Sequence, residues 1–164
     1  MNKWRTSYNN TELRSCALKK LFPAYDQELE AALKDILPPI KFEDYALIPA
    51  FLQEYCNYRN VQASEIVGAM YFTRPIKYRN EFMAVLLLCY HPEKMYDLTD
   101  KFVLKGLLKT TAELLKCHKK SLSRFTSDAP FLYRTYPAFK EVVEAVHAII
   151  MDKYKLQAGK VNIL

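Results

Sequence analysis

Residues 104–125, LKGLLKTTAELLKCHKKSLSRF, decide how the chain is read, because two short helical patterns and a basic face meet there. The first pattern sets Leu104, Leu107, Leu108, Thr111, Ala112 and Leu115 three and four apart, so that one helix face is apolar. Lys105, Lys109 and Lys116 are left toward water. The second sets Leu122 and Phe125 three apart, with His118, Lys119, Ser121, Ser123 and Arg124 elsewhere on a helix of about two to three turns. A helix-turn-helix needs a small residue where its helices cross and apolar residues after the turn. Ala112, Cys117, Leu122 and Phe125 meet that need. Lys116 stands where the motif commonly has Gly, and a side chain makes positive φ costly. A longer turn, or one without a left-handed residue, is therefore expected. From Lys101 to Phe125 seven basic residues face one acid, Glu113, a local excess equal to the whole chain's net charge of +6.

The remainder of the 164 residues bounds the answer. Hydrophobic residues make up 51% and aromatic residues 13%, enough to bury one sizeable core or two small ones. Three glycines leave little room for tight hairpins, and neither GxxxxGK nor GxGxxG can be written, so no nucleotide cofactor is expected. Cys16, Cys56, Cys89 and Cys117 lie far apart with no CxxC pair, the pattern of scattered buried thiols rather than a zinc knuckle. Residues 1–10 lack a signal-peptide core, and the longest apolar run, 82–90, falls far short of the roughly 20 residues of a membrane span. A soluble chain in a reducing cytoplasm, with no membrane partner, is expected. A pI near 9.0 points to an acidic partner, nucleic acid being the commonest.

Read in order, residues 1–44 form an N-terminal helical extension, 45–155 the helix-turn-helix domain and 156–164 a frayed tail. Short helices are expected over 11–22 and 25–36. Seven acids against two lysines between Asp26 and Glu54 mark this part as different from the rest. A solvated helix face accounts for it, and a surface for a protein partner is the sharper reading. Pro49 opens a helix over 49–59, and a short one starts near Gln62 to Ser64. Residues 70–79 hold Arg74, Lys77 and Arg79 without an acid. A helix from Pro75, apolar nearly all round over 82–89, should be the buried centre, and His91-Pro92 ends it. Thr99 or Asp100 caps the next helix. Residues 127–137 read as a connection with a short helical turn at 131–134, and a last helix covers 137–154 with Phe139, Val142, Val143, Val146, Ile149 and Ile150 as its stripe. Nothing alternates long enough to make a strand, so the fold class is all-α.

Residues 49–154 resemble the C-terminal DNA-binding domain of the bacterial replication initiator DnaA, a Trp-repressor-like fold. The resemblance lies in FLQEYCNYRNVQASEIVGAMYFTRPIKYRNEFMAVLLL, in ELLKCHKKSLSRF and in YPAFKEVVEAVHAII. It implies a basic loop on the minor groove and phosphates, a long helix beginning at Arg79-Asn80, and a recognition helix whose reading positions fall at Cys117, His118, Lys119, Lys120 and Ser121. The family's Arg-Asp-His-Thr-Thr signature is not preserved, HPEKMYDLTDKFVLKG is inserted, and the nucleotide-binding motor is missing.

Double-stranded DNA is thus the expected partner, in replication initiation or transcription control of a bacterium, mobile element or phage. The expected contacts are Arg74, Lys77, Arg79, Asn80, His118, Lys119, Lys120, Ser121, Ser123 and Arg124. Arg124 is the base reader, since its fork matches guanine O6 and N7. The competing reading is a helical protein-interaction module, supported by the acidic stretch and twelve tyrosines. No catalytic or metal set assembles around His91, His118 or His147, so an enzyme is not expected.

Overall fold

The computed structural model describes residues 27–29, 31–33, 37–38, 40–68, 73–96, 98, 103, 105–155 and 159–160. Two compact units divide the chain, Met1–Leu37 with Asn162–Leu164, and Pro38–Val161. In the first, residues 27–29 and 31–33 are helical, within the helix expected over 25–36. The helix expected over 11–22 and the caps at Thr99 or Asp100 lie outside the described residues.

The second unit is all-α. Its helices are α1 (Ile48–Arg59), α2 (Thr73–Tyr90), α3 (Pro92–Met95), α4 (Lys105–Leu114), α5 (Lys119–Thr135) and α6 (Pro137–Tyr154). Three-residue 3-10 turns, Tyr45–Leu47 and Ala63–Glu65, precede and follow α1. Among the described residues no helix is long and apolar enough to cross a membrane.

α2 is the axis of the core. From Phe82 to Tyr90 no residue is more than 2% exposed, as a helix apolar nearly all round requires. α1, α5 and α6 pack on it. α1 starts with Pro49 in its first turn and stops at Asn60, whose φ of 51° lets its N–H reach the Asn57 carbonyl and that of Val61 the Cys56 carbonyl. α6 begins and ends where its apolar stripe does, burying Phe139, Val143, Val146 and Ile150.

The sequence hides three features of the core. Glu81 is fully buried at the start of the apolar run, where it accepts a 2.6 Å bond from the Tyr55 hydroxyl and sits 3.1 Å from Arg59 Nε. Burial first, then the Glu81 carboxylate, raises the Tyr55 pKa and keeps that phenol a donor. α5 does not end near Phe125 but runs on to Thr135, through the region expected to be a connection. Pro130 inside it costs about 3 kcal/mol, but Leu122, Phe125 and Tyr133 on the same face each return about 1.5–3 kcal/mol when buried, so the helix survives its proline. Finally, Ile40–Lys41 pairs antiparallel with Gly159–Lys160, Ile40 opposite Lys160. This pair departs from the expected absence of strands and from a tail frayed throughout, and two residues are too few for alternation to announce.

Candidate nucleic-acid interface

α4 and α5 are joined by a turn that the backbone closes tightly. Lys116 adopts a φ of 49°, so of the two expected turns the one without a left-handed residue is not what forms. The Lys116 N–H donates to the Glu113 carbonyl at 3.3 Å, and that of Cys117 to the Ala112 carbonyl at 3.1 Å. These are the paired bonds of a Schellman stop, with Lys in the usual Gly place. Ala112 and Cys117, the positions that such a stop brings together, both pack against the core. Leu107, Leu108 and Thr111 are the buried face of α4, and the Thr111 hydroxyl is satisfied by the Leu107 carbonyl at 2.8 Å.

His118 is the N-cap of α5. Its backbone is extended, with ψ at 136°, and its Nδ1 accepts from the Lys120 N–H at 3.2 Å. That bond commits Nδ1 to the helix and leaves Nε2 as the outward edge of the ring. Lys119, Lys120, Ser123 and Arg124 are exposed in the following turns and Ser121 is half-buried, while Leu122 and Phe125 turn into the core. The Arg124 side chain is 84% exposed, with Nε 3.6 Å from Asp128 one turn on. So exposed a pair is weak and exchangeable. Ser123 presents its side chain outward while its carbonyl accepts from the hydroxyls of Thr126 and Ser127 at 2.8 and 3.1 Å. The expected set on this helix thus gathers on one accessible end, with Lys116 beside it.

The second expected group divides. Arg74 lies in the first turn of α2. Lys77 is exposed, its Nζ 3.9 Å from the buried Glu81 carboxylate. Asn80 is half-buried and lines, with Lys77, a cavity against the far end of α5. Arg79 is not available as a contact at all: it is 1% exposed, donates from Nε to the Ile66 carbonyl at 2.7 Å, and donates from Nη2 to the Gly68 carbonyl. Gly68 in turn donates to the Leu115 carbonyl at 3.0 Å. Arg79 therefore straps the 66–68 turn to α2 and, through Gly68, to the end of α4. Burial lowers its pKa while raising that of the Cys117 thiol, and the charge of each offsets part of the other's shift. Arg79 read as the start of a contact surface because a helix apolar nearly all round over 82–90 has no polar face to show which way its first turns point.

Arg59 was missed among the cations. It lies over the Tyr78 ring at 5.5 Å and against Glu81, so its charge is spent internally. The acidic stretch is also partly internal: Asp44 accepts from the Ala46 N–H at 2.8 Å and Glu54 from Lys153 at 2.6 Å. Among the described residues no three His, Cys, Asp or Glu side chains gather as metal ligands. Comparison with known proteins leaves the interface to be judged on this geometry, for no family model, no curated protein and no solved structure matches the chain.

Proposed function

We propose that the chain binds double-stranded DNA through α4 and α5, as a divergent relative of the DnaA C-terminal reader domain working in a bacterial cytoplasm. One observation carries the reading: a left-handed Schellman turn at Lys116 joins two helices, and Lys116, Lys119, Lys120 and Arg124 all stand exposed at the start of the second. Such an end fits the major groove, where a helix amino terminus and its lysines hold phosphates and side chains one turn on meet base edges. In this arrangement Lys116, Lys119 and Lys120 position the helix. Arg124 exchanges Asp128 for guanine, with Ser121, Ser123 and the outer edge of His118 flanking it. Arg79 contributes by holding the chain on either side of residues 69–72 to the end of α4.

The test is fluorescence anisotropy on labelled random-sequence duplex over a salt series. Affinity should fall steeply and linearly in log–log form as counterions compete. Absence of binding at low salt, or binding indifferent to salt, would hand the chain to the second reading, a helical interaction module, which the exposed aromatic pair Phe131 and Tyr136 favours.

A further inference from the structure

The corner where α5 hands over to α6 carries a feature that the basic end of α5 does not use. A cavity of about 410 Å³ opens there, walled by Ile76, Leu132, Tyr136 and Phe139, with Lys77 and Asn80 on its polar side. That volume is at the small end of the roughly 300–1,000 Å³ of ligand pockets, enough for a large side chain. The rim is apolar and faces outward. Tyr136 is 51% exposed and Phe131 56%, their rings set edge to face at 6.5 Å, and Ile76 is exposed beside them. An exposed aromatic on the lip of a hole, with a second packed on its outer side, is what the centre of an interface is made of, and a free surface seldom gathers them.

Charge identifies what fits. Among the described residues no acid lines the cavity, and the Lys77 side chain is 63% exposed, with its Nζ 3.9 Å from the buried Glu81 carboxylate. α6 begins at this corner with Tyr136 as an N-cap residue that makes no side-chain cap bond, and Ala138 of its first turn is part of the lining. α5 ends at the same residue, so its negative end offsets the positive end of α6 and Lys77 is the charge that remains.

We propose that this corner docks an acidic peptide segment, which places one large apolar side chain among Ile76, Leu132, Tyr136 and Phe139 and an adjacent carboxylate on Lys77. Leu132 lies about 12 Å along α5 from Arg124, so the surface is distinct from the basic end and does not depend on its binding DNA. Panning a phage-displayed random-peptide library against the full chain, with Lys77→Glu and Tyr136→Ala as parallel baits, tests it. Both replaced side chains are exposed, and circular dichroism checks that the baits stay folded. The parent should enrich peptides with Phe, Trp, Leu or Met beside Asp or Glu. The best of these, resynthesised, should bind Tyr136→Ala about tenfold or more weakly, and Lys77→Glu should select basic neighbours instead. The proposal is overturned if nothing enriches, if the peptides show no acidic preference, or if they bind both variants as the parent. It is overturned equally if dodecanoate, or a second copy of the chain seen by sedimentation, is blocked by Tyr136→Ala while peptides are not.

Discussion

Lys116 occupies backbone space that a side chain makes costly by about 1–2 kcal/mol. Two effects of replacing it then pull apart. Lys116→Gly should raise stability in urea by about 1 kcal/mol, since Gly tolerates the turn, and should reduce the salt slope of DNA binding by about one as a phosphate contact is lost. A variant that gained stability with an unchanged salt slope would show that the lysine has no part in binding. His118 is the converse case, a helix cap rather than a free donor. His118→Ala should cost about 1 kcal/mol, and His118→Asn should restore most of it. At Arg79 the loss is structural. Arg79→Gln leaves the Ile66 or Gly68 carbonyl poorly served and should destabilise by on the order of 3 kcal/mol in chemical denaturation. Its folded fraction should keep the parent's salt slope, which a phosphate contact could not do.

Helices meet through particular atoms, and α4 comes close to the turn before α1 because residue 106 is Gly. A Cβ there would run into the Tyr45 ring, itself held against Tyr90 at 5.3 Å. Gly106→Ala should therefore lower the thermal midpoint at a cost of about 1–3 kcal/mol. On α5, Arg124→Ala should lose about 1–3 kcal/mol at a preferred site and relax the choice at one base pair, read by oligonucleotide selection. Binding every duplex as the parent does would remove this helix as the reader. The elements best read from sequence are those with long apolar periods: α1 and α6 match their expected spans, and 82–90 lies buried as expected. The exposed end of α5 was readable for the same reason, since Leu122 and Phe125 fix which side faces out. The second half of α5 was not, because Ser127, Asp128 and Pro130 look like a break until α2 supplies the packing that overrides them. Arg79 and Glu81 escaped because their partners, at Ile66, Gly68, Tyr55 and Arg59, are distant in sequence and obey no local period.

Across the whole molecule, acid should act in two stages. Burial on α6 lowers His147 to about 4 from 6.5, opposed by Glu144, so the folded state holds its imidazole neutral. Stability from this group is full above pH 6.5 and is lost as pH falls through 4, by up to about 3 kcal/mol. Glu93 is lowered to about 2 from 4.5, by its bond with His91 first and by Lys41 among the rest, against the effect of burial. Its share persists above pH 4.5 and is lost toward pH 2. Urea titrations across pH should show both declines, and His147→Gln should flatten the upper one alone. At the other extreme of scale, the small pairing of Ile40 with Lys160 has a topological consequence. It sets the entry and exit of this unit side by side, so the path of the backbone is nearly a closed loop. A circular permutant that bridges the two with a short Gly-Ser linker, and opens new ends between α3 and α4, should keep the helical content of the parent. The same closeness would let the unit be spliced as one block into a surface loop of a larger host chain without stretching either.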